Sequence, residues 1–133
     1  LNVQIQDGTI LINRQGDPVA RTDIGLGKLV AVRGVLDVDT KTMFSSLIIV
    51  DTDSSSRLAG TVGANADSVC GFNLVTTTDG DRSVKTDSNT HAFLVVDCSS
   101  SAINVSDLST DQNADVYGHY VDGCFDAHTI IAY

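Results

Sequence analysis

Apolar and polar side chains alternate with a period of two along most of this chain, the pattern of half-buried β-strands. The clearest case is the last twenty residues, ADVYGHYVDGCFDAHTIIAY, where two alternating runs flank Asp122-Gly123. An Asp-Gly pair between such runs predicts a tight β-hairpin. Residues 28–50 have the same layout. Val30, Val32 and Gly34 point to one side of the first run, and Leu29, Ala31, Arg33 and Val35 to the other. A polar turn follows at 37–42, and the return run 43–50 ends apolar enough to be buried on both faces. Residues 3–13 read as strand, Asp7-Gly8 turn and strand, and 15–22, with Pro18, as a connection. Asp23 is placed to cap a single turn reaching Leu26. Residues 51–57 (DTDSSSR) carry no apolar side chain and read as a linker. Further strands are expected at 58–64, 71–77, 82–87 and 91–96, with a loop at 65–68, a turn at 79–81 and a polar stretch at 98–101. Residues 103–108 lead into the last hairpin. About ten short strands at this spacing predict an all-β, antiparallel fold, a sandwich or a barrel.

The two hairpins are related. With Gly34 set on Gly118, Ile24 falls on Leu108 and Val32 on Val116. After the turn both units carry an aromatic (Phe44 or Phe125), then a small residue (Ser46 or Ala127), then an Ile-Ile pair (Ile48-Ile49 or Ile130-Ile131). On this alignment the second loop is three residues shorter. The central glycine is expected at a sharp bend or bulge of a barrel corner. The organisation that follows is two related β-modules: an incomplete one at 1–51, a linker at 52–57 and a complete one at 58–133. A barrel without its opening hairpin has open edges, which are unpaired templates. Either the modules merge around one core, or a strand comes from another chain.

A leucine-bearing turn, a G-x-x-V-x-V-x-G strand, a D-G turn and an A-x-x-I strand together resemble the small OB-like β-barrel domains of unknown function found in bacterial secreted proteins and lipoproteins. The residues are Leu26, Gly27, Val30, Val32 and Gly34 in the first unit, and Leu108, Val116, Gly118, Gly123, Ala127 and Ile130 in the second. The second unit departs from the pattern at Asn113, where Gly is preferred. The resemblance implies an OB-like fold and an exported location, and carries no catalytic residues. It also implies that the loop before Cys70 and the Asp122-Gly123 turn share one end of the barrel. Cys70 and Cys124 are then the pair expected to form a disulfide, leaving Cys98.

Composition narrows the function. All 17 acidic residues are Asp, and the net charge is −9. Such a balance disfavours nucleic acid and anionic membrane surfaces, which need Lys and Arg. No run reaches transmembrane length, so no membrane insertion is expected. Rich in Ser, Thr, Asp and Gly and poor in Lys, the chain reads as extracellular or cell-surface. Three cysteines permit one internal disulfide.

Candidate chemistry is sparse. With a two-residue turn, Tyr120 faces Phe125, His119 faces Asp126 and Tyr117 faces His128. Val116, Gly118, Tyr120, Phe125, Ala127 and Ile131 then form the core side. On the opposite side His119, Asp126 and His128 have the donor types of a zinc site, against the alternative of a solvated or contact face. Asp37 with Asp39, and Asp51 with Asp53, offer hard oxygens to calcium, against the alternative of plain turns. Neither continues as an EF-hand loop, since no Glu exists in the chain. No G-x-S-x-G, P-loop or dinucleotide fingerprint is present. Asn104-Val105-Ser106 is a glycosylation sequon. The function expected is a non-catalytic, self-assembling structural subunit, a homo-oligomer or polymer. The alternative is a module binding an oligosaccharide or peptide.

Overall fold

A computed structural model of the chain describes residues 1–50, 55–63 and 70–133. Among them are ten strands: β1 (Asn2–Asn13), β2 (Val30–Asp37), β3 (Thr42–Val50), β4 (Ser56–Val62), β5 (Phe72–Thr76), β6 (Gly80–Lys85), β7 (His91–Val96), β8 (Ser99–Ile103), β9 (Asn113–Val121) and β10 (Cys124–Ala132). The protein is all-β, in two sheets. One has the order β1-β3-β2, the other β6-β5-β4-β9-β10-β7-β8. β6 also pairs with β10, so β4, β5, β6, β10 and β9 close into a five-stranded ring. Most pairings are antiparallel, but β1–β3, β10–β6 and β10–β7 are parallel.

Three local expectations are corrected. β1 is one strand, not two around an Asp7-Gly8 turn. It pairs with β3 through Asn2–Ile5 and again through Ile10–Asn13, and the pairing breaks around Asp7-Gly8, where Gln6 N donates to Thr9 Oγ1 at 2.8 Å. Of the polar stretch at 98–101, Ser99 to Ser101 belong to a strand, because Asp97 adopts a positive φ of 52° and turns the chain so that β8 pairs with β7. The expected linker is shortened, since β4 already begins at Ser56 and Ser55 is buried. Residues 51–54 of that linker, and the expected loop at 65–68, lie outside the described residues.

Strand pairing reveals how far the repeat extends. Gly34 pairs with Ser45, and Gly118 with Ala127. One residue is then skipped in each return strand, Ser46 in β3 and His128 in β10, before Arg33 meets Leu47 and Tyr117 meets Thr129. Ser45, not Ser46, is therefore the counterpart of Ala127, and Phe44 corresponds to Asp126 rather than Phe125. Four residues, 38–41, join β2 to β3 and two, 122–123, join β9 to β10, so the loops differ by two residues rather than three. Ahead of each hairpin sits the same 3-10 turn, Arg21–Asp23 or Val105–Asp107. In each, the side chain of the third residue accepts from the backbone ahead of the turn (Ala20 N to Asp23 Oδ2, 2.8 Å; Asn104 N to Asp107 Oδ2, 2.9 Å). β1 corresponds to β6 and β7 taken together: Val3 meets Met43 as Val84 meets Phe125, and Ile12 meets Ile49 as Phe93 meets Ile131. The first unit thus repeats residues 82–132 and contains no counterpart of β4 and β5.

Two apolar clusters hold these layers. The barrel core comes from the second unit, with Leu58, Leu74, Val84, Val116, Phe125 and Ile130 at its centre. The other cluster joins the sheets: Ile12, Leu47 and Ile49 of the first unit pack on Phe93, Val95, Tyr117 and Ile131 of the second. The skipped His128 makes this possible. It reverses the alternation, so that Ile130 faces the barrel and Ile131 the first unit. Ile131 was expected beside Phe125, and Tyr117 on an open contact face; both are buried between the sheets. Phe125 is fully buried as expected, whereas Tyr120 is 54% exposed and leans its ring edge-on against Phe125.

Candidate functional site

The alternation of β9 sends Val116 into the barrel and turns Asp115 and Tyr117 toward cationic side chains of neighbouring elements. Arg33 arrives from β2 and Arg57 from β4, while Arg14 lies just beyond the end of β1. Asp115, only 3% exposed, accepts from both of the first two: Arg57 Nη2 donates to Oδ1 at 2.9 Å, and Arg33 Nη2 to Oδ2. A buried carboxylate bonded on both oxygens by guanidiniums is well satisfied, whereas alone it would be costly. Arg33 also stacks over the Tyr133 ring, 3.7 Å from its centroid. Arg14 lies 5.5 Å from the Tyr117 ring centroid and donates to the Ser55 carbonyl.

Arg14, Arg33, Arg57, Asp115 and Tyr117 bound a cleft of about 450 Å³, one wall of which runs from Leu29, just ahead of β2, to Arg33. Three of the five arginines line this cleft, and two of them, Arg33 and Arg57, bond Asp115. Burial favours the neutral form of Arg33, but the hydrogen bond and charge of Asp115 outweigh it, with Tyr133, and its pKa is raised. Burial, then the charge of Asp115, raises that of Tyr117 against the lowering effect of the three arginines. The walls are guanidinium, carboxylate, phenol and aliphatic groups, a set suited to binding an anionic group beside apolar surface.

The residues singled out from the sequence lie elsewhere. His119 pairs with Asp126 as expected, but His128 sits in the bulge and Tyr117 pairs with Thr129 instead. The His119 and His128 rings meet edge to face at 5.4 Å between centroids. Among the described residues, no three His, Cys, Asp or Glu side chains gather to hold a metal ion. Asp37 caps its own turn, Oδ1 accepting from Asp39 N at 3.0 Å and Thr40 N at 3.2 Å. The hydrogen bonds from Thr40, backbone first, hold its carboxyl below the usual range. Asp51 and Asp53 lie outside the described residues. Cys70 and Cys124 form a disulfide with Cα atoms 6.1 Å apart, and Cys98 is exposed. Asn104 of the sequon is exposed. Among the described residues no helix is long and apolar enough to cross a membrane.

Compared with known proteins, the chain matches no family model, no curated protein and no solved structure.

The arginine cleft was missed at the level of sequence. Its members are spread from Arg14 to Tyr117 and share no motif. The one available signal was scarcity: with only five arginines, Arg33 on an apolar strand called for a buried partner.

Proposed function

We propose that the protein is a non-catalytic extracellular structural subunit that associates with further copies of itself by strand addition along the outer edge of β2. The observation that carries this is the contrast between the two units. In the second, β9 is covered by β4, with Ser56 opposite Gly118 and Leu58 opposite Val116. In the first, the matching stretch of β2, Val30 to Gly34, has no strand on its outer side among the described residues. Open edges of this kind pair with other chains. Of the thirteen large apolar residues exposed among the described residues, eight lie between Leu1 and Val38, which concentrates uncovered apolar surface on the incomplete unit. The internal disulfide fits an oxidising, extracellular setting, and the closed five-stranded ring fits an OB-like barrel.

Light scattering behind size exclusion, with negative-stain microscopy, tests the reading. Wild-type protein is expected to form dimers or longer assemblies as concentration rises. Leu29→Lys with Val30→Lys, both at exposed positions, places charge along the edge and is expected to leave a folded monomer. Wild-type protein that stays monomeric at millimolar concentration would overturn the proposal.

A further inference from the structure

Two of the three histidines meet on the last hairpin, in the second unit and apart from the β2 edge. We propose that His119 and His128 form half of a zinc site and that a second copy of this chain supplies the other half. One zinc ion then joins two molecules through four imidazoles.

The bulge makes the pair. His119 lies on β9 opposite Asp126, and His128 is the residue skipped in β10, so it has no partner across the ladder. His119 is exposed and His128 half-buried, and among the described residues no hydrogen bond engages either ring. Their ring nitrogens are therefore available as metal ligands. The spacing already suits one ion. Two imidazoles on a tetrahedral zinc, each bonded at about 2.0 Å through a ring nitrogen, have centroids roughly 5 Å apart. The His119 and His128 centroids stand 5.4 Å apart. Their planes, now at 71°, adjust by rotation of the soft terminal torsion of each side chain. Imidazole nitrogens select a borderline transition ion over calcium or magnesium, which take oxygen ligands.

Two ligands are half of a closed set. Asp126 does not gather with the two rings into a three-ligand site. A second copy brings the same two imidazoles and completes the tetrahedron. Charge favours that occupant: zinc on neutral imidazoles keeps its double positive charge, which offsets the repulsion between two chains of net charge −9. Val121, 51% exposed, shares a side of β9 with His119 and gives the two copies an apolar contact around the ion.

Zinc chloride titrated into the full chain, followed by calorimetry and light scattering, tests the proposal. Leu29→Lys with Val30→Lys is carried throughout, so that pairing along β2 does not contribute to the mass. One zinc per two chains is expected, with a doubling of mass that a chelator reverses and that calcium chloride does not produce. His119→Ala and His128→Ala are each expected to weaken zinc binding by at least about tenfold and to stay monomeric, with a cooperative urea transition showing that each is folded. His91→Ala, at the third histidine, and Cys98→Ser, at the exposed thiol, are expected to change neither reading. Without either histidine substitution, zinc should shift the ring signals of two of the three histidines in NMR spectra, which checks the site even where a variant fails to fold. No zinc uptake overturns the site. Uptake that survives both histidine substitutions overturns its assignment to His119 and His128. One zinc per chain with no change in mass overturns the bridge between copies.

Discussion

At Gly34 and Gly118 the fold depends on a missing side chain. A Cβ at Gly34 would lie 2.0 Å from the Phe44 carbonyl oxygen, and one at Gly118 would lie 2.0 Å from that of Asp126. These obstacles are backbone atoms of a paired strand, so they cannot swing aside as a side chain would. Gly34→Ala and Gly118→Ala are each expected to cost about 2–3 kcal/mol in urea denaturation, through forced displacement of the return strand. The sequence marked both glycines as bends because they recur at one place in a repeat. Tyr117 makes a different prediction. Its pKa is raised by burial and by Asp115, so the folded protein holds the phenol proton more tightly than the unfolded chain does. That contribution is complete below pH 10.0, the ordinary value, and is lost as pH rises through the raised one. Stability measured by urea denaturation should fall above pH 10.0. Tyr117→Phe keeps the packed ring and should remove that part of the fall.

A single skipped residue sets the arrangement of strands. Alternation along the last hairpin identified β9 and β10, and placed Phe125 and Ala127 in the core. It failed past His128, because an uninterrupted period of two cannot reveal a bulge. The true register sends Ile130 to the barrel and Ile131 to the first unit, so both isoleucines are buried on opposite faces. Two adjacent isoleucines admit either assignment, which is why the sequence could not choose. Deleting His128 should remove the bulge while leaving Ala127 opposite Gly118 and Thr129 opposite Tyr117, so that Ile130 still faces the barrel and Ile131 the first unit. Both clusters then survive, and a cooperative urea transition is expected with a loss of about 1–3 kcal/mol from the straightened strand. The disulfide was legible only through the OB-like resemblance, since spacing alone leaves three pairings open. Of the arginine cleft, only the oddity of Arg33 on an apolar strand was legible. Ion pairs between β2, β4 and β9 depend on how two sheets stack, and a periodic pattern within one strand carries no information about the strand across from it.

The whole molecule is asymmetric although its sequence repeats. The barrel cluster draws its buried residues from Leu58 to Ile130, all within the second unit. Among the described residues the first unit has no comparable cluster. Ile12, Leu47 and Ile49 are buried against Phe93, Val95, Tyr117 and Ile131, and Thr129 Oγ1 donates to the Arg14 carbonyl at 2.7 Å. The three strands of the first unit therefore depend on the second unit for their core, while the barrel closes without them. A fragment of residues 55–133 is expected to keep its β-sheet circular dichroism and a cooperative urea transition, because the ring and the Cys70–Cys124 bridge lie wholly within it. It should bind a hydrophobic dye more strongly than the full chain, having uncovered Tyr117 and Ile131. A fragment of residues 1–50 is expected to stay unfolded or to aggregate, since a three-stranded sheet with one face stripped cannot offset its ordering entropy. Mixing the two fragments should quench the dye signal as the first regains structure on the second. A first fragment that folds alone would mean that the unit carries its own core, and that the shared cluster is an interface between two independent domains.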